Sequence, residues 1–363
     1  MRSRVRRFAW AMSKRGKRPK DRRGPLWLMI GFCLLRPIFL SAYAAALASF
    51  GRPTADAQQI FNYFTRNEPP ALEIANLGGG LYLAKGEWGV NVGFFIGDEG
   101  VLVIDSKATY SATKKVVREI RKITPKPITK VVFTHSDSDC FNGYEAYPGA
   151  AEILCSAKCR QELAIGMWTV LEMDAPSGLY SSELTARAMP EFHPTIAFDG
   201  RMTIRFGAET VELIACGPAH TGGDVAVLFP ERGVAFIGDL VFVHHEPLIQ
   251  SYKGGYSFGL VTALSMLLAA NPEIRTFIPG HADPIGREEI KETLRSLEEM
   301  QAKVLAMVDG KKSLEDVKTA FQVPAPPKGV GDWIWPSLAV TSFRELTERR
   351  VEGKNPNGEE ARK

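Results

Sequence analysis

The chain has 363 residues, 45% of them hydrophobic and 24% charged, which is enough for one large domain or two ordinary ones and too apolar for bulk disorder. Its net charge of +4 is unevenly spread: residues 1–57 hold 13 Lys/Arg against 2 Asp/Glu, leaving 32 of the 45 basic and 39 of the 41 acidic residues to the remainder. The basic excess therefore belongs to the front of the chain, and a nucleic-acid partner inferred from overall charge is excluded.

In chain order, a basic stretch from Arg2 to Arg23 precedes an apolar run from Pro25 to Phe50 broken once by Arg36-Pro37. Ala55-Asp56-Ala57 before Gln58 fits an A-x-A cleavage site, so residues 1–57 are expected to be an export signal and the mature chain periplasmic or secreted. The alternative is an uncleaved membrane anchor, because the apolar run is long enough to span a bilayer. Membrane contact is expected only through that segment. The main domain is expected over 58–309, a helical extension over 310–351 and a disordered charged tail over 352–363.

NVGFFIG (91–97) and VLVIDS (101–106) flank Asp98-Glu99-Gly100 and predict a hairpin. Ser111 is the expected cap of a helix whose apolar residues fall at Val116, Val117, Ile120 and Ile123. ITKVVFTHS and AEILCS read as buried strands, followed by a helix over 160–165 and an irregular stretch over 166–194. Further strands are expected at 202–207, 210–216, 224–230 and 233–239, then a helix at 258–270, a short strand at 276–281 and a long helix at 287–308. Helices around 313–321 and 336–350 close the pattern. Strands and helices alternating in two similar halves predict an α/β, αββα four-layer sandwich, two mixed sheets face to face with helices outside. Cys155, Cys159 and Cys216 read as buried small hydrophobes.

Three of the six histidines, His135, His220 and His281, end strand-like segments in turn-rich contexts: VVFTHSDSD, ACGPAHTGGD and FIPGHAD. A fourth strand ends in the carboxylate of Asp239, in FIGDLVF. Four strands each delivering a donor at one end is what a metal site at a sheet edge requires, because strand ends are rigid and the loops beyond them leave room for substrate.

This set resembles the metallo-β-lactamase superfamily, whose pattern is H-x-H-x-D-H followed by a distant His, a distant Asp or Cys, and a final His. The pattern falls on His135, Asp137, Asp139, Cys140, His220, Asp239 and His281, with VIDS, PAHTGGD, GD and PGH as matching flanks over roughly 80–300. Two positions depart from it: Asp137 replaces the second His, and Cys140 replaces the His after Asp139. Carboxylate and thiolate both remain competent ligands.

The resemblance implies two divalent metal ions, zinc first with iron or manganese as alternatives. His135, Asp137 and His220 would hold one. Asp139 and His281 would hold the other, with Cys140 left open as a further donor and Asp239 between the two. It also implies a hydrolase in which metal-held hydroxide attacks an ester, thioester, lactone or lactam carbonyl of a small molecule, with Asp139 as the catalytic carboxylate. His244 and His245, five and six residues past Asp239, are candidates to line the substrate pocket or to supply a compensating ligand, with an exposed loop as the alternative, and His193 reads as a loop residue. The alternatives are a non-hydrolytic binding protein with a degenerate site and, behind it, a diiron redox protein. The branch suggested by the flanks is that of glyoxalase II and the lactonases.

Overall fold

A computed structural model describes residues 69–164, 194–243, 245–323 and 337–351. The leader, His193, His244, the tail and nearly all of the irregular stretch over 166–194 lie outside these residues. Among the described residues no helix is long and apolar enough to cross a membrane.

Seven strands form the first sheet, in sequence order: β1 (Glu73–Gly78), β2 (Leu81–Lys85), β3 (Val92–Gly97), β4 (Gly100–Ile104), β5 (Ile128–Val132), β6 (Glu152–Ser156) and β7 (Ile196–Phe198). The second sheet holds β8 (Arg201–Phe206), β9 (Glu209–Ala215), β10 (Val225–Phe229), β11 (Val234–Gly238), β12 (Thr276–Pro279) and β13 (Ile285–Gly286), in the order β13-β12-β11-β10-β9-β8. Both sheets are mixed. β1 to β4 run antiparallel and β4 to β7 parallel, while in the second sheet only β11 and β12 are parallel.

The apolar strands have alternating destinations. In β4, Leu102 and Ile104 enter the layer between the sheets, where they meet Val227, Phe229, Phe236 and Ile278 of the second sheet. Val101 and Val103 face the other way, against Val116, Val117 and Ile120 of helix α1 (Tyr110–Ile123). β10 divides likewise, with Val225, Val227 and Phe229 inward and Ala226 and Leu228 outward beneath helices α4 (Ser257–Ala270) and α5 (Arg287–Asp309). A strand buried on both faces has no polar side to display, which is why these segments read as continuous apolar runs. The four-layer expectation holds.

Two short helices complete the first half: α2 (Ser138–Phe141) and α3 (Ala157–Ala164). At the C-terminal end, α6 (Leu314–Ala320) and α7 (Leu338–Val351) bring Val317, Ala339, Phe343 and Leu346 against Val304 and Val308 of α5. Ser257, at the start of α4, also bonds Ser342 and Glu345 of α7. The extension is thus packed on the sandwich.

Two local features differ from the expected pattern. Thr109, not Ser111, caps α1: its backbone is extended and its hydroxyl accepts from Ala112 N, so Ser111 already lies within the first turn. Strands β1, β2, β7 and β13 add to the expected set; EIANLG has no fully buried position, and β7 and β13 are only three and two residues long, so they give little periodic signal. All four cysteines among the described residues are buried and free.

Candidate metal centre

The parallel pairs decide which strand ends meet. Ile104 of β4 is paired with Val132 of β5, so Asp105 and Thr134-His135 leave the first sheet together. Gly238 of β11 is paired with Pro279 of β12, so Asp239 and Gly280-His281 leave the second sheet together. The sheets are tied at this edge, where Val225 N donates to Thr134 O at 2.7 Å. Asn91 donates through Nδ2 to the carbonyls of Pro279 and Ala282 at 2.9 and 2.7 Å, clamping the turn that carries His281. Gly280 is required there: a Cβ at that position would sit 2.1 Å from Asp239 Oδ1.

Asp239 is the hub. Its Oδ2 lies 3.3 Å from His281 Nε2 and 3.8 Å from Nε2 of both His135 and His220. Asp139, in the first turn of α2, places Oδ2 3.1 Å from His281 Nε2. Asp137, which precedes α2, places Oδ2 3.1 Å from His220 Nε2. Donor atoms of His135, His220 and Asp239 lie within 4.8 Å of one another, as do those of His135, Asp137 and Asp139. The structure thus brings together His135, Asp137, Asp139, His220, Asp239 and His281.

The far side of each ring is held by the protein. Thr134 Oγ1 donates to Asp105 Oδ2 at 2.8 Å and lies 2.9 Å from His135 Nδ1, so it accepts the Nδ1 proton and turns the Nε2 lone pair inward. His220 Nδ1 donates to Leu248 O at 2.8 Å with the same result. Asp105 is a left-handed residue at φ 63°, a conformation that Asp tolerates better than most, and Thr134 N also donates to it. Burial pushes its carboxyl up to about 7, against the opposing pull of His135 and the Thr134 bonds.

The charges are strongly coupled. Burial opposes ionisation of Asp239, but the His281, His135 and His220 rings outweigh it and hold the carboxyl below its usual range. Burial likewise works against protonated His220, yet the Asp137 carboxylate raises the ring to about 10. His281 is raised well above its ordinary value, burial again being overcome by Asp239 and Asp139. In this arrangement protons on the His220 and His281 rings offset carboxylate charge, and divalent cations would take over that role.

The donor set suits such cations. Three imidazole nitrogens and three carboxylates match zinc, iron or manganese in type. His135 Nε2, which faces Asp239 Oδ2, and Asp239 Oδ1 are buried without a hydrogen-bond partner. An unpaired buried polar atom is costly, and one on each of two residues of the donor cluster fits a cation-binding role.

Cys140 departs from the expected ligand set. Its thiol donates to the His135 carbonyl at 3.1 Å, and the residue packs in the apolar cluster with Phe133 and Phe141. Burial, reinforced by Asp105 and Asp139, raises the thiol well above its ordinary value. His245 stands one ring back from the centre: it packs 5.2 Å from Phe242, which stacks on His281 at 6.1 Å.

Sequence reasoning missed Gln250 and Lys253, both buried. Gln250 Nε2 donates to Asp137 Oδ2 at 2.8 Å and Lys253 Nζ to Asp137 Oδ1 at 2.6 Å. It also missed Lys107, fully buried, whose Nζ donates to the carbonyls of Val90 and Ala84 at 2.5 and 3.4 Å. No motif marks these residues; two polar side chains in a loop and a Lys after a strand are ordinary in sequence.

The family model described as the metallo-beta-lactamase superfamily matches residues 86–281, a span that contains every donor above. The chain belongs to the metallo-beta-lactamase superfamily. Membership supports a metal-dependent hydrolase at the level of reaction class.

Among solved structures, the stereoselective inverting sec-alkylsulfatase Pisa1 from Pseudomonas sp. is similar in fold, with a TM-score of 0.56 and 14% identity over 82% of this chain and 55% of that one. The metallo-beta-lactamase FIM-1 from Pseudomonas aeruginosa, solved in its mono-zinc form, has a TM-score of 0.50 and 16% identity over 65% of this chain and 98% of that one. A linear primary-alkylsulfatase of Pseudomonas sp. (strain ATCC 19151) is 23% identical over 225 residues, which is 54% of this chain and 42% of the relative. The chain thus matches less than half of that curated relative's length.

Proposed function

We propose that the chain is a hydrolase that acts with two divalent metal ions, zinc foremost, on an ester, thioester, lactone or lactam carbonyl of a small molecule. The observation that carries this reading is the convergence of three imidazole Nε2 atoms on Asp239 Oδ2, with Asp139 and Asp137 beside them. His135, Asp137 and His220 would hold one cation and Asp139 and His281 the other, with Asp239 between. Such cations lower the pKa of water they hold and polarise the bond to be broken.

The protein's own residues supply orientation and proton handling. Thr134 and Leu248 O fix the tautomers of His135 and His220, so their Nε2 lone pairs point inward without reorganisation. Asp139, side by side with His281 and partly exposed, can hold the attacking water and receive its proton. Phe242 forms an apolar wall beside His220 and His281, with His245 behind it, suited to the non-reacting part of a substrate. The leader supports a periplasmic or secreted location.

A second reading, sulfate-ester hydrolysis, is favoured by one observation: two of the similar proteins are alkylsulfatases. The purified chain should be stripped with chelator, reloaded with zinc, and assayed on carbonyl esters, a thioester, lactones, a lactam and an alkyl sulfate. Turnover of a carbonyl substrate that chelator abolishes and zinc restores is the expected result. Turnover of the alkyl sulfate alone would select the second reading. Zinc uptake without any turnover would leave a binding protein.

A further inference from the structure

An imidazole at position 137 would be a neutral donor with one nitrogen facing the metal. The carboxylate that stands there brings an extra negative charge and a second oxygen, and both are answered elsewhere in the chain. Lys253, whose side chain is 3% exposed, sets Nζ 2.6 Å from Asp137 Oδ1 and 2.9 Å from the Ser136 carbonyl. Gln250 donates to Oδ2, the oxygen that also meets His220.

This support is built into the backbone. Gln250 N donates to His220 O and Gly222 N to Lys253 O, at 2.8 and 2.9 Å, so the turn at Ser251–Lys253 is bonded to the loop that carries His220. Gly254 closes the turn at φ 78°, where a side chain would be strained. Outside the pair, Ser136 Oγ donates to Glu162 Oε2 at 2.6 Å, which fixes the residue next to Asp137.

We propose that Lys253, oriented by this turn and assisted by Gln250, is a positioning residue that makes the Asp137 carboxylate equivalent to an imidazole: the ammonium occupies Oδ1 and offsets one charge, leaving Oδ2 as a single donor to the metal. Asp137, Asp139 and Asp239 carry a total of −3; with Lys253 the sum is −2, the charge the same set would have with histidine at 137. The two positions, 116 residues apart, form one charge-conserving unit. This inference rests on the metal-centre reading and deepens it.

The test is a cycle of wild type, Asp137→His, Lys253→Met and the double variant, each checked for folding by circular dichroism and titrated with zinc and with manganese against a chromogenic chelator. Asp137→His alone should weaken both metals at least tenfold, because it leaves a buried ammonium beside an imidazole. The double variant should return zinc affinity to within about threefold of wild type. Lys253→Met alone frees Asp137 Oδ1 to join Oδ2 at the metal and should lower the zinc-over-manganese affinity ratio at least tenfold, since extra carboxylate oxygen favours the harder ion. That ratio also decides the matter if histidine at 137 does not fold. Equal zinc affinities for Asp137→His and the double variant, or an unchanged ratio in Lys253→Met, would overturn the pairing while leaving the metal centre intact. A wild-type chain that takes up neither metal would overturn both.

Discussion

The first sheet supplies His135, Asp137 and Asp139 from one short stretch after β5, whereas the second supplies His220, Asp239 and His281 from three separate strand ends. On the first side the stretch from the end of β5 into the first turn of α2 sets the spacing, and neighbouring residues must serve as both donors and supports. On the second, each donor depends on a different pairing: Asp239 and His281 on the parallel register of β11 with β12, and His220 on a loop bonded to the turn at Ser251–Lys253. The contiguous side carries a carboxylate at 137 and a buried thiol at 140, and the dispersed side presents His220, Asp239 and His281 around one carboxylate oxygen. The charge of Asp137 is answered by a distant residue, Lys253, whereas Asp239 faces three rings.

The sharpest way to break this contrast is Asp239→Ala. Removal of the carboxylate that faces three imidazoles should cost more than 100-fold in metal affinity and abolish hydrolysis, read by elemental analysis after dialysis and by turnover. A variant that keeps stoichiometric metal would show that the second sheet is dispensable.

A middle-sized effect is expected behind the first sheet, at Lys107. Burial lowers its ammonium to about 7 from an ordinary 10.5, against the pull of Glu87, Asp139 and Asp105. Between those values the folded chain holds the residue neutral while the unfolded chain still binds the proton, so its contribution to stability rises with pH across that window and its burial cost is full below pH 7. Lys107→Met removes this slope. The stability of the variant relative to wild type, measured by denaturant unfolding, should therefore fall between pH 6 and pH 10 by a few kcal/mol, at ~1.4 kcal/mol for each pH unit crossed inside the window. A difference that does not vary with pH would place the ammonium in contact with water.

The smallest effect belongs to Cys140→Ala. Its thiol faces the His135 carbonyl and the apolar cluster, so metal stoichiometry should be unchanged and stability lowered by about 1 kcal/mol for the lost bond and volume. A tenfold fall in zinc affinity would restore Cys140 to the ligand set.

Much of the architecture was legible because its physical signals are local. The hairpin of β3 and β4 announces itself by apolar runs around Asp98-Glu99-Gly100, and α1 by residues 116, 117 and 120 on one face. The His and Asp donors were legible as residues at strand ends. Cys140 was not, because donor chemistry says nothing about where a side chain points. Gln250 and Lys253 were invisible for a different reason: their meaning comes entirely from a carboxylate more than a hundred positions away.

By itself the sequence determined the layered α/β pattern, the superfamily motif and the chemical types of the donors, since periodicity and residue chemistry act over a few positions. Only the tertiary structure decided that Asp239 lies among three rings, that Cys140 turns to the core and that Lys253 answers Asp137. Those outcomes depend on sheet register and loop bonding, which bring together atoms that no local propensity relates.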